Sequence, residues 1–247
     1  LLTVRARDLL ASCDLILYDY LVDLEILRFA SAKAERKYVG KVGRGQHTPQ
    51  SEINNQLIQQ ARAAKSVVRL KGGDPFLFGR GAEEAEALYE AGVPFEVVPG
   101  VSSALAVPAY AGIPLTHRDI SSSVAVLTGA SSGDAKNESS SLVNLSQAGT
   151  IVILMGVSNL RHIANKLIAC GRDPETPAAI IRWGTYETQQ TLSGSLRTIS
   201  DVAEKSGMRP PAVIVIGEVV RLRTQLRWFE KELASSNEFQ AALAEVC

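Results

Sequence analysis

The eleven residues Lys71-Gly72-Gly73-Asp74-Pro75-Phe76-Leu77-Phe78-Gly79-Arg80-Gly81 stand between the apolar run Val67-Val68-Arg69-Leu70 and a helical pattern over Ala82 to Ala91. A strand that passes through glycines, an acid and two cations into a helix is a βα unit. Its turn lies where open α/β sheets hold ligands, beyond the carboxyl end of a strand. Glycines there let backbone amides approach a ligand closely. Asp74 can accept hydrogen bonds from ribose hydroxyls or an amine, and Arg80 can hold a carboxylate with both arms of its guanidinium. A tight strand-to-helix connection with a capping Asp would account for a lone Gly-Asp-Pro. Two phenylalanines and an arginine set among the glycines make the full segment more specific than that.

The remaining chain alternates strand-like and helical patterns, the signature of α/β architecture with mostly parallel pairing. Helical segments are expected over Thr3 to Ser12, Leu21 to Ala30, from the Thr48-Pro49 cap onward, Ala82 to Ala91 closed by Gly92, Ser102 to Ala111, and Asn159 to Ala169. Strands are expected at Leu15 to Tyr18, Lys37 to Val39, Val67 to Leu70, Phe95 to Val98, Val124 to Leu127, Thr150 to Met155, Ala178 to Arg182 and Pro211 to Ile216. The period is lost between Gly112 and Ser123, which sets a domain boundary near Arg118. The expected division is residues 1–118 and 119–230, followed by a polar tail over 231–247. Ser131 to Ser141 reads as a loop. The chain opens with Leu1-Leu2-Thr3 rather than Met and reads as a fragment lacking its first strand.

Composition excludes several function classes. Lys plus Arg and Asp plus Glu are 26 each, a formal net charge of zero, so the basic face of a nucleic-acid binder is not expected. Cys13, Cys170 and Cys247 are far apart, with no CxxC pair and no His at ligand spacing, so neither a metal site nor a disulfide framework is expected. No stretch reaches the roughly 20 apolar residues of a membrane span. A cytoplasmic location follows as the expectation, or an organellar one if a transit peptide preceded Leu1. No GxxxxGK[ST] is present, which argues against a P-loop NTPase.

Seven segments in order carry a resemblance. They are Tyr18-Asp19-Tyr20-Leu21-Val22, Tyr38-Val39-Gly40-Lys41, Arg69 to Gly81, Val97 to Ser103, Gly112 to Arg118, Leu154-Met155-Gly156, and Arg209-Pro210-Pro211-Ala212. On them the chain resembles the uroporphyrinogen-III C-methyltransferases, a branch of the tetrapyrrole methylases that use S-adenosylmethionine. The Gly-Asp-Pro-Phe-x-Phe-Gly-Arg-Gly form points to this branch. The resemblance implies two α/β domains with mixed, mostly parallel sheets, the active site in the cleft between them, and a homodimer. It also implies methylation of uroporphyrinogen III at C2 and then C7, giving precorrin-2 by way of precorrin-1 for sirohaem or cobalamin.

The same resemblance places Asp19 as proton acceptor and Lys41 as proton donor. By residue pattern alone, Asp19 ends a buried strand, with a helix N-cap as the competing reading, and Lys41 would pass for a solvated loop lysine. Cofactor contacts carried over are Gly72, Gly73, Asp74, Leu77, Ser102, Ser103, Met155, Gly184 and Ala212, with Ser102-Ser103 standing where the family often has Thr-Ala. The substrate carries eight carboxylates, so a neutral chain must gather cations locally. Arg44, His47, Arg80, His117 and Arg118, with Phe78, are the candidates. Two other readings stay open: a sibling methylase acting on a later precorrin, and a non-catalytic cofactor-binding module.

Overall fold

The strand β1 (Leu15–Tyr18) is the centre of the first of two compact units, Leu1–Ser103 and Ala104–Cys247. The structure, a computed structural model, describes residues 1–40, 48–63, 65–130 and 147–230. β1 is flanked by β2 (Glu35–Tyr38) and β3 (Val67–Leu70) in the order β2-β1-β3, with both pairings parallel. Side chains alternate across a strand, so β1 feeds two cores. Leu15 and Leu17 join Val39, Ile53 and Leu57 on one face, and Ile16 joins Leu10, Cys13, Val22 and Leu27 on the other.

Helix α1 (Val4–Ser12) starts where Thr3 Oγ1 accepts from the Ala6 amide. Helix α2 (Gln50–Arg62) starts one residue later than expected, with Pro49 in extended backbone as the residue before the helix. Helix α3 (Gly81–Glu90) follows the glycine-rich loop and ends before the left-handed Gly92.

Two expected elements differ. The segment over 21–30 is a 3-10 stretch, Leu24–Phe29, because the Asp23 carboxylate accepts from the Glu25 amide and restarts the chain. Phe95 to Val97 are exposed, Val98 is half-buried, and the segment forms no ladder. Pro94 and Pro99 bracket it, and proline cannot donate to a ladder.

Helix α4 (Ser103–Tyr110) begins at the last residue of the first unit. That unit therefore ends at Ser103, upstream of the boundary expected near Arg118. The second unit holds a mixed sheet in the order β4-β5-β8-β6-β7. Its strands are β4 (Val124–Thr128), β5 (Thr150–Leu154), β6 (Pro177–Arg182), β7 (Gln190–Ser195) and β8 (Ala212–Ile216). β4 and β5 pair in parallel, and the β5-β8, β8-β6 and β6-β7 pairs are antiparallel. Helices α5 (Leu160–Ala169) and α6 (Ile199–Lys205) bury Ile163, Leu167 and Ile199 against Ile151, Ile180 and Ile214. β7 was not expected, because Gln-Thr-Leu-Ser-Gly-Ser is a polar edge strand without apolar alternation. A last short helix, α7 (Arg223–Leu226), precedes the final described residues. The expected loop over 131–141 and the tail over 231–247 lie outside the described residues.

Cys13 is 4 % exposed, and its thiol donates to the Leu10 carbonyl at 3.4 Å. Burial pushes this thiol up from its ordinary value. The neutral thiol therefore contributes its full stabilisation below the ordinary thiol range, and that contribution is lost as pH rises through the raised value. Iodoacetamide should modify Cys13 at the rate of global unfolding, read by peptide mass spectrometry across a urea series. Alkylation in native buffer as fast as in concentrated urea would contradict this packing.

Candidate functional site

Parallel pairing puts the carboxyl ends of β1, β2 and β3 at one edge of the first sheet, where Tyr18 lies in register with Tyr38 and Leu70. The residues just beyond that edge are Asp19, Gly40 and the run from Lys71. The Asp19 carboxylate accepts from Arg69 Nη2 at 2.6 Å and lies 3.6 Å from Lys71 Nζ. Arg69 also donates through Nη1 to the Leu17 and Leu70 carbonyls and through Nε to Glu84 Oε1 at 3.1 Å. Glu84, on α3, is 4 % exposed, and the same oxygen accepts from Lys71 Nζ and Gln50 Nε2. Two carboxylates and two cations thus form one closed network. Asp19 is its most exposed member, at 28 %, while Lys71 and Arg69 are nearly covered. Desolvated charges are tolerated only when paired and hydrogen-bonded.

Nearby, the Tyr38 phenol is pushed up from its ordinary value, first by burial and then by the charge of Asp19. It stays protonated and stacks edge-on to Tyr18 at 5.6 Å. Sequence reasoning missed Arg69, Lys71 and Glu84. The visible signal was their alternation across the strand end and one helical turn into α3.

The glycine-rich loop is held by the Asp74 carboxylate. Asp74 directs Oδ1 to the Phe76 amide at 2.8 Å and Oδ2 to the Gly100 amide at 3.0 Å. Its carboxylate stitches the loop to Pro99-Gly100, with one amide on each oxygen. Gly73 has a φ of +74°, and a Cβ on Gly100 would sit 2.1 Å from the Gly73 carbonyl oxygen. Two backbones meet here with no room for a side chain, leaving Gly72 and Gly73 exposed. Leu77 is half-buried, Ser103 is half-buried at the start of α4, and Ser102 is buried. Phe76 and Phe78 are exposed. Phe78 and Arg80 both adopt left-handed backbone, which is uncommon without glycine and clusters at ligand sites. The guanidinium fork of Arg80 is occupied by Glu83, at 2.8 and 2.7 Å. That pairing raises the Arg80 value and lowers that of Glu83.

In the second sheet, β4, β5 and β6 run the same way and β8 runs against them. Leu154 pairs with Val213 and Arg182 with Ala212. This register gathers Met155, Gly184 and Ala212 at one edge. Met155 is left-handed and 53 % exposed, an arrangement that core packing does not explain. Trp183 and Thr185, either side of Gly184, are left-handed too. A Cβ on Gly184 would fall 2.4 Å from Val107 Cγ1 of α4, and the Trp183 amide donates to the Pro211 carbonyl at 3.3 Å. The exposed His117 and Arg118 lie in a turn closed by the His117–Ser121 bridge. Lys41, Arg44 and His47 lie outside the described residues. Among the described residues no cluster of His, Cys, Asp or Glu could hold a metal ion, and no helix is long and apolar enough to cross a membrane.

Two sheet edges bearing strained, glycine-lined loops define an α/β protein with a candidate site in each unit. Residues 1–200 match the family described as Tetrapyrrole (Corrin/Porphyrin) Methylases, and the chain belongs to that family. It is 44 % identical over 241 residues to the uroporphyrinogen-III C-methyltransferase of Bacillus subtilis, covering 98 % of this chain and 94 % of that one. It is also 44 % identical to sirohaem synthase 1 of Klebsiella pneumoniae, matching all of this chain and 51 % of the other. The chain thus spans about half the length of that synthase. A solved structure of the uroporphyrin-III C-methyltransferase of Thermus thermophilus in complex with S-adenosylhomocysteine superposes with a TM-score of 0.74. It shares 38 % identity, over 89 % of this chain and 92 % of that one.

Glu84→Ala should leave Arg69 and Lys71 with Asp19 as their one remaining carboxylate partner in this network. A cost of about 3 to 5 kcal/mol is expected, the usual penalty for breaking a buried pair, measured by urea denaturation. Gly100→Ala should cost about 1 to 3 kcal/mol through the clash with Gly73, read the same way.

Proposed function

We propose that the chain methylates uroporphyrinogen III at C2 and then C7, with S-adenosylmethionine as donor, giving precorrin-2 by way of precorrin-1 for sirohaem or cobalamin. The observation that carries this reading is the Asp19 carboxylate, held by Arg69 and Lys71 at a sheet edge beside the Gly72-Gly73 loop. The likeness to the Bacillus subtilis methyltransferase supports it, as does the likeness to the Thermus thermophilus structure holding S-adenosylhomocysteine.

When bound, S-adenosylmethionine supplies an electrophilic methyl group for in-line transfer. The residues fit such a ligand: bare backbone at Gly72 and Gly73 offers amides and carbonyls without side chains in the way, and Met155, Gly184 and Ala212 line one edge of the second sheet. Leu77, Ser102 and Ser103 complete the proposed contacts. Asp74 contributes by shaping the loop through its two amide bonds.

The pyrrole carbon becomes nucleophilic as the macrocycle loses a proton, and Asp19 is placed to accept it. Arg69 and Lys71 orient the carboxylate and keep it from rotating away. Lys41 is the proposed proton donor. Phe78 offers an exposed ring face to the macrocycle, and Arg80, His117 and Arg118, with Arg44 and His47, answer its carboxylates. Arg80 must exchange Glu83 for substrate to do so, a fair trade for an exposed pair worth little in water. In this reading residues 1–118 serve the substrate and residues 119–230 supply further cofactor contacts. The protein is a cytoplasmic homodimer that needs neither nucleic acid nor membrane.

The test is calorimetric titration with S-adenosylhomocysteine, followed by an anaerobic assay for precorrin-2 from uroporphyrinogen III. Binding with precorrin-2 formed supports the reading. Binding without product moves it to a sibling methylase, such as the cobalt-precorrin-4 enzyme whose structure superposes with a TM-score of 0.77 at 25 % identity. Absence of binding removes the methylase reading. Asp19→Asn should keep S-adenosylhomocysteine affinity within threefold and lower kcat by about a hundredfold or more, the usual contribution of a general base.

A further inference from the structure

The Trp183-Gly184-Thr185 turn carries two left-handed residues that are not glycine. Such backbone persists only when its surroundings hold it. The Thr185 amide donates to Gln189 Oε1 at 2.8 Å. Gln189 is 8 % exposed, and its Nε2 donates to Glu230 Oε1 at 2.8 Å. Glu230 lies beyond α7, far along the chain from the turn. Thr191 also donates to Oε1, and Oε2 accepts from Arg223 Nη2 at 2.5 Å. Arg223 in turn donates through Nη1 to the Ala111 carbonyl at the end of α4, the helix whose Val107 touches Gly184.

The amide of Gln189 can serve both neighbours in one orientation only. A carboxylate accepts, so it must face Nε2, and this leaves Oε1 for the Thr185 amide. Glu230 therefore decides which way the buried amide points. A leucine at 189 would fill space but could not choose.

We propose that Gln189 and Glu230 are positioning residues for the cofactor site: the Glu230 carboxylate orients Gln189, and Gln189 holds the Trp183-Gly184-Thr185 turn in its binding conformation. The proposal rests on the reading that Gly184 contacts S-adenosylmethionine. It makes the segment after α7 part of how the site is held, although none of that segment's side chains needs to touch the ligand.

Gln189→Met keeps length and burial while removing both hydrogen bonds. The Kd for S-adenosylhomocysteine should rise about tenfold, the worth of one buried hydrogen bond, and the KM for S-adenosylmethionine should rise with it. The KM for the tetrapyrrole and the kcat at saturation should stay within twofold, a split that general loosening of the fold would not produce. Glu230→Gln should raise the same Kd by threefold or more, because an amide at 230 no longer dictates the orientation of Gln189. The double variant should bind no more weakly than Gln189→Met alone, since contacting residues acting in series are non-additive. Unchanged affinity in Gln189→Met, or additive losses in the double variant, would overturn the proposal. If Gln189→Met does not fold, Glu230→Gln decides alone: parental affinity rejects the relay and weakened affinity with parental tetrapyrrole KM upholds it. Lack of binding by the parent protein would instead remove the cofactor reading itself.

Discussion

The fan of hydrogen bonds from Arg69 is the interaction on which the first unit's charge network depends. Arg69 lies in register with Leu17 across the β1-β3 pair, so its stem starts inside the sheet and its guanidinium emerges at the carboxyl edge. Its three nitrogens are used on Asp19, Glu84 and two strand-end carbonyls. A planar fork with fixed donor directions does this; a lysine, as a point charge on a flexible stem, would not. Lys71 supplies the second positive charge, and the four charges sum to zero within one buried patch. That neutrality is what allows a carboxylate to stand at a sheet edge with a defined direction instead of swinging into solvent.

The glycine-rich loop depends on that network from the other side. Lys71 is its first residue and Glu84 lies in the helix it leads into, so the network clamps both ends of the segment. Between the clamps, Asp74 fixes Phe76 and Gly100, and the Gly73-Gly100 contact sets how close the two strands of loop approach. The strain at Phe78 and Arg80 is carried by this frame. An exposed phenylalanine and an exposed arginine in left-handed backbone cost free energy without packing in return, and a frame held at several points offsets that cost.

What the sequence disclosed depended on how local the physics was. β1 and β3 were legible to the residue, because each is a short apolar run bounded by polar signals. The polar edge strand β7 was not, since a strand held by its ladder to β6 needs no apolar pattern of its own. Phe95 to Val98 misled in the opposite direction, as an apolar run whose flanking prolines outweigh its propensity. For the candidate site, the glycine loop announced itself, but the role of Asp74 did not. A carboxylate's partners are decided by a backbone amide 26 residues away, at Gly100, and no spacing rule reveals that. Lys71 stood within the motif and was passed over because its partner Glu84 is buried by folding, not by hydrophobicity.

The two edges are supported by different physics, and this bears on how each can respond to substitution. The first edge rests on charges that neutralise each other, so losing one member leaves its partners under-paired in a desolvated place. The second rests on hydrogen bonds passed along a chain from Arg223 to Glu230, Gln189 and the Thr185 amide. Breaking a single link there releases a turn already in strained backbone, while the sheet beneath it keeps its isoleucine core. Damage at the first edge should therefore fall on the stability of the unit, and damage at the second on the local conformation of the turn. Close packing of Gly184 against Val107 of α4 and the Trp183 amide bond to the Pro211 carbonyl fix one side of the turn, and the tether through Gln189 holds the other at Thr185.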